Sequence, residues 1–258
     1  MHLLEIKNVS RYFGGLKAID NLDLVVDKGE IKGLIGPNGA GKSTLYNVIS
    51  GVHRPTSGRV IFNGKDVTGH KPHKMTEMGL VRTFQATTLF KNFSVLKNVL
   101  AGCHLYSKAN FWGALFNTPG TAKRQRGSEE KALEILEFMG LLEYKDELAL
   151  NLPHGHQRAL GVSIALAANP ILLMLDEPVT GMNDEETGEM MEIINKIHDR
   201  GMTILLIEHD MKMVMGLCEK ITVINFGKKI AEGSPDEIKE NPDVHEAYLG
   251  GEYYVAGS

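Results

Sequence analysis

The sequence predicts an α/β fold, a doubly wound and largely parallel sheet joined to a lobe of helices, on three observations. Residues 171–175 and 203–207 are near-continuous apolar runs, as expected of parallel strands buried on both faces. Residues 184–200, between them, read as a helix, and strand, helix, strand in that order is a parallel crossover unit. From about residue 92 to 150 the pattern turns helical, most clearly over 128–139, where Ala132, Leu133, Ile135, Leu136 and Met139 share one face.

The other elements follow in order. Residues 3–6 and 22–26 alternate as strands, and 31–35 form a short apolar run after a turn at Lys28-Gly29. Val60-Ile61-Phe62 is a strand closed by the hairpin pair Asn63-Gly64, and 79–84 is a further β-type run. Strands are also expected at 221–225 and 229–231. Ser234-Pro235-Asp236-Glu237 then opens a helix, with Ser as cap and Pro at the first helical position. There is no internal repeat and no low-complexity linker.

With 258 residues, 43% hydrophobic and 23% charged, the chain can bury one large core or two lobes around a cleft, which excludes disorder and fibrous repeats. Its 28 glycines show no collagen-like period and point to turns and close backbone approaches. Cys103 and Cys218 lie far apart without zinc-ligand neighbours, so a reducing compartment and no structural metal are expected. Nothing approaches the ~18 apolar residues of a membrane span, and the N-terminus lacks signal-peptide layout, so a soluble intracellular chain is expected. A net charge of -4 offers no global attraction to nucleic acid or an anionic membrane.

The strongest chemical signal is Gly36-Pro37-Asn38-Gly39-Ala40-Gly41-Lys42-Ser43-Thr44, which fits G-x-x-x-x-G-K-[ST] between a predicted strand and a predicted helix. Backbone N–H groups of such a loop cradle nucleotide phosphates, Lys42 reaches the β- and γ-phosphates, and the Ser43 hydroxyl ligates Mg²⁺. A P-loop needs an acid at the end of a neighbouring buried strand. Asp176 supplies it for the metal, and Glu177, next in sequence, is placed to act as general base on water.

With these motifs, nearly the whole chain resembles the ATP-binding subunit of an ABC transporter. The resemblance implies an ABC-type P-loop core over 1–91 and 160–233 with an antiparallel β subdomain, a helical subdomain over 92–159, and a C-terminal extension over 234–258. It makes Gln85 the Q-loop glutamine, which contacts Mg²⁺ and the catalytic water, and His209 the switch histidine on the γ-phosphate. Phe13 becomes the aromatic that stacks on adenine, with Tyr12 as the alternative. Pro153, His154, Gly155, His156 and Gln157 fall on the signature that contacts the partner's ATP.

The signature departs from the family's usual Leu-Ser-Gly-Gly-Gln. Pro153 stands for the serine, His154 for the first glycine and His156 for the glutamine, so the serine hydroxyl is lost while the N–H groups of His154 and Gly155 remain. Ile164 replaces a usual arginine, and the D-loop Thr180-Gly181-Met182-Asn183 carries Asn for a common Asp.

These departures, and the ending from Asn241 to Gly250, are similar to ATPase subunits of branched-chain amino acid importers. So is the enlarged segment at 103–127. There Phe111, Trp112, Leu115 and Phe116 are expected to pack locally, followed by a solvated basic turn at Lys123-Arg124-Gln125-Arg126. His53, His70 and His73 are read as surface. The resemblance implies ATP and Mg²⁺, a second ABC ATPase subunit, two membrane permeases and, indirectly, an extracytoplasmic solute-binding protein. It implies no nucleic acid, and a peripheral place on the cytoplasmic face of the cell membrane. Urea, amides or other amino acids stay open as cargo. A non-transport ABC ATPase and a weakly hydrolysing regulatory subunit stay open as alternatives, as does homodimer against heterodimer.

Overall fold

The computed structural model describes residues 1–83, 89–105 and 119–249. Two sheets organise them. The first is antiparallel, with strand order β2-β1-β4-β5, from β1 (His2–Phe13), β2 (Leu16–Asp27), β4 (Ser57–Phe62) and β5 (Lys65–Asp66). Asn63 and Gly64, both at positive φ, close β4 onto β5 as the sequence predicts. The second has order β10-β9-β3-β8-β7-β6, from β3 (Ile31–Ile35), β6 (Leu80–Arg82), β7 (Leu172–Asp176), β8 (Thr203–Ile207), β9 (Lys220–Asn225) and β10 (Lys228–Gly233). All neighbours are parallel except the edge pair β9-β10.

Alternation along the central strands decides what covers each face. Leu172, Met174, Leu205 and Ile207 pack with α1 (Lys42–Ile49) and the inner face of the antiparallel sheet, through Leu45, Tyr46, Ile6, Leu24 and Phe62. Leu173, Leu175, Ile204 and Leu206 meet the opposite layer. That layer holds α3 (Val95–Leu105), α4 (Pro119–Phe138), α5 (His154–Ala167), α6 (Asp184–Asp199) and α7 (Met211–Leu217), with the short C-terminal α8 (Pro235–Glu240) and α9 (Pro242–Leu249). A strand apolar on both sides thus fills two cores at once. Helix α2 (Pro72–Glu77) leads into β6.

Helix ends follow their local sequence. Asn183 caps α6 by accepting the Glu186 N–H at 2.9 Å while the Glu186 carboxylate accepts the Asn183 N–H at 3.0 Å. Ser234 and Glu237 repeat this box at α8, with Pro235 in the first turn.

Two expectations need correction. Backbone at 123–126 is helical, because α4 begins at Pro119 rather than near Ser128; Lys, Arg and Gln are good helix formers and extend the turn instead of breaking it. His53 is half-buried rather than a surface residue, its ring set edge-on to Phe13 at 5.4 Å. His70 and His73 are exposed. Phe111, Trp112, Leu115 and Phe116 lie outside the described residues, as do Gln85 and Gly250. Among the described residues no helix is long and apolar enough to cross a membrane.

Candidate functional site

Strands β3, β8 and β7 are adjacent and parallel, so the segments leaving their carboxyl ends open on one sheet edge. From β3 come residues 36–41, from β7 Glu177 and its loop, and from β8 Glu208 and His209.

The 36–41 loop is glycine-dependent where backbone crowds it. A Cβ on Gly36 would sit 2.1 Å from the Ile224 carbonyl oxygen, and one on Gly41, at φ +105°, 2.5 Å from that of Ala18. Pro37, Asn38, Gly39 and Ala40 complete the turn into α1, whose first residues are Lys42, Ser43 and Thr44. Lys42 is buried, and its Nζ donates to the carbonyls of Gly36 at 2.5 Å and Pro37 at 3.0 Å. Burial holds its ammonium below the ordinary lysine value, opposed in part by the field of Glu177. A desolvated ammonium at the N-terminus of α1 is chemically suited to an anion.

Asp176, 6% exposed, ends β7, and its Oδ2 accepts from Arg82 Nη2 at 2.7 Å. Arg82 also donates to Asn47 Oδ1 at 2.6 Å, and its guanidinium lies 4.6 Å from the Tyr46 ring centroid. Glu177 follows at φ +48°, its N–H held by the Ile207 carbonyl at 2.9 Å. Its Oε1 lies 3.8 Å from His209 Nδ1, and its Oε2 accepts from Thr180 Oγ1 at 3.4 Å. His209 is exposed, free to meet a ligand.

For Mg²⁺ the donor chemistry fits. The ion takes one or two carboxylates, water and substrate phosphate oxygens rather than a protein cage. Asp176 keeps a second oxygen beyond its Arg82 contact, and Ser43 presents an exposed hydroxyl beside Lys42.

Phe13, at the end of β1, carries the Arg11 guanidinium 4.4 Å from its ring centroid. Tyr12 is committed elsewhere, donating to Asp20 at 3.0 Å with Lys17 over its ring. Only Phe13 is an exposed ring at this strand end.

The signature stretch opens α5. Pro153 is its N-cap residue without a side-chain cap, so the first N–H groups of the helix have no cap partner of its own. Gln157 donates to the Leu152 carbonyl at 2.8 Å, and the His156 ring packs on Tyr144 at 5.0 Å. The His154 ring lies against Gly181, Gly155 against Glu186, and Arg158 donates to the Thr180 carbonyl at 3.1 Å. This stretch therefore abuts the segment that follows Glu177.

Two contributors carry no role in the sequence reading, Arg82 and Glu208, and Thr180 enters it only as part of the D-loop. Arg82 closes a short buried strand, and a charge there was the available signal.

Comparison with known proteins identifies the family. Residues 19–180 match the family model described as ABC transporter, and the chain belongs to that family. It is accordingly an ATP-binding cassette and an ATPase. Residues 228–254 also match the model of the branched-chain amino acid ATP-binding cassette transporter. The chain is 40% identical over 249 residues to the high-affinity branched-chain amino acid transport ATP-binding protein BraF of Pseudomonas aeruginosa, and 41% identical to LivG of Escherichia coli. Both alignments cover 96% of this chain and 98% of the relative. Among solved structures, a nucleotide-free cassette of an ABC transporter superposes with TM-score 0.86 at 35% identity, and an ADP-bound cassette with 0.85 at 33%. Each covers 97% of this chain and all of the other.

Proposed function

We propose that this chain is the ATP-hydrolysing subunit of an importer for branched-chain amino acids, bound peripherally to its permeases at the cytoplasmic face of the cell membrane. The observation that carries the chemistry is the meeting of the Lys42 loop, Glu177 and His209 on one edge of the β3-β8-β7 sheet. The cargo rests on the relatives BraF and LivG and on the match over 228–254.

In this reading Lys42 exchanges the Gly36 and Pro37 carbonyls for β- and γ-phosphate oxygens, while the N–H groups of residues 36–44 wrap the phosphates. Phe13 offers its outer face to the adenine. Ser43 and Asp176, with Gln85, would hold Mg²⁺, which would offset charge on the phosphoryl oxygens. Glu177 takes a proton from water as the water oxygen bonds the γ-phosphorus and the bond to the ADP oxygen breaks. His209 orients water and γ-phosphate. The signature residues Pro153 to Gln157 present the N-terminus of α5 to the ATP of a second subunit.

Residues 1–91 and 160–233 act as the nucleotide lobe, 92–159 as the helical lobe and 234–258 as an extension. A permease contact is supported by an exposed apolar patch on the helical side. Phe90 and Phe93 stack at 5.4 Å, and Leu148 and Leu150 lie on the strip whose backbone bonds Phe93 and Lys91.

The test is to isolate tagged Glu177→Gln chain gently from native membranes with and without ATP. Two polytopic permeases and a second ATPase are expected to co-purify. Soluble or ribosomal partners alone would overturn the transport reading, and vesicles that take up urea but not leucine would overturn the cargo.

A further inference from the structure

Glu208 is the most deeply buried carboxylate beside the site, with no exposed surface. Such a group is almost never wholly buried unless its charge is met. Here three backbone N–H groups meet it. Oε1 accepts from Val179 at 3.2 Å, and Oε2 accepts from His209 at 2.9 Å and Asp210 at 3.2 Å. Burial raises its pKa above the usual carboxylate range, against the pull of these donors and of the His209 ring.

The three donors belong to two different loops. Val179 lies in the turn after β7 that carries Glu177, and His209 and Asp210 lie in the turn after β8. We propose that Glu208 is a positioning residue for ATP hydrolysis, a buried clamp that fixes the spacing of Glu177 and His209 by holding one N–H of the first loop and two of the second. The Glu177 segment is then pinned at both ends, by the Glu177 N–H on the Ile207 carbonyl and by the Val179 N–H on Glu208. With φ +48° at Glu177, a left-handed conformation that a glutamate seldom adopts, that double anchorage holds its carboxylate 3.8 Å from His209. The inference rests on the reading of Glu177 and His209 given above.

Glu208→Gln keeps the shape but turns an N–H donor toward an N–H donor on one side, so one loop is released. Turnover is expected to fall at least tenfold while the dissociation constant for ATP, read by fluorescent-nucleotide displacement, stays within twofold. In a Glu177→Gln background the same change is expected to lower residual turnover by less than twofold, because the two act through one group. Equal loss in both backgrounds, or loss of turnover in step with loss of ATP binding, would overturn the proposal.

Should Glu208→Gln not fold, Glu208→Asp, with its charge kept and its reach one methylene shorter, is expected to bind ATP and turn over poorly. On the native full chain, the amide protons of Val179, His209 and Asp210 are expected to exchange through one common opening. Independent exchange at Val179 overturns the clamp. Native-rate turnover by Glu177→Gln would sink the base assignment instead, leaving amide exchange to judge Glu208 on its own.

Discussion

Arg82→Met offers the sharpest energetic test of how the metal-side carboxylate is held. The guanidinium bonds Asp176 at 2.7 Å and Asn47 at 2.6 Å, with side-chain exposures of 15% for Arg82 and 5% for Asp176. Methionine keeps much of the volume against Tyr46 but leaves the Asp176 carboxylate buried without its cation. Breaking a buried pair from one side costs about 3–5 kcal/mol. The lost Asn47 bond adds about 1 kcal/mol. The expected deficit is therefore about 5 kcal/mol at pH 7. Urea unfolding of nucleotide-free protein followed by circular dichroism at pH 7 reads it. A deficit under about 1 kcal/mol, the size of a surface pair, would refute the reasoning.

Gly36→Ala is expected to abolish ATP binding, because its methyl would meet the Ile224 carbonyl at 2.1 Å; equilibrium binding of a fluorescent nucleotide checks it. Burial pushes the Glu232 carboxyl up, but Lys229 and the buried Lys32 together pull it below its ordinary value. Its folded pKa is thus depressed, so its contribution is fully present above about pH 4.5 and is lost as pH falls through the folded value, a loss that Glu232→Gln should abolish in acid titration of stability. At pH 7 the same variant strands the Lys32 ammonium and should cost about 3 kcal/mol by urea unfolding. Asn183→Ala removes the α6 capping box and should cost about 1 kcal/mol, seen as a Tm lowered by a few degrees.

What the sequence makes legible is local. The spacing of Gly36, Gly41 and Lys42 and the double-faced runs of β7 and β8 are carried by neighbouring residues, so they place the loop and the central sheet without any tertiary knowledge. The limits show where partners are remote. Arg82 and Asp176 are 94 residues apart, and Glu208 reaches Val179 across 29, so neither pairing has a signal in residue spacing. Strands β1 and β2 run to 12 residues each, beyond the short alternating cores at 3–6 and 22–26, because Asn8 and Asn21, at positive φ, and register shifts break the alternation in the outer halves, where Val9 and Ile19 are nonetheless buried. His53 looks like a surface histidine until β1 brings Phe13 against it.

Pro153 allows the altered signature to be probed without disturbing the fold. It occupies the N-cap of α5 at φ −52° and ψ 154°, a conformation open to serine as well. Pro153→Ser would lose the restraint that proline places on the unfolded chain, about 0.4–1 kcal/mol. It would gain a side-chain cap of comparable size, since serine accepts from the second or third helical N–H. The two nearly cancel, so the Tm is expected to stay within about 2 °C. His154 and Arg158 keep α5 against Gly181 and Thr180, so the helix direction is unchanged. Any change in ATPase rate then reports the hydroxyl at the partner's nucleotide rather than stability, and it should grow with protein concentration as subunits pair. A rate change that is independent of concentration, with the Tm unmoved, would place the effect within one chain and remove the cross-subunit role from this stretch.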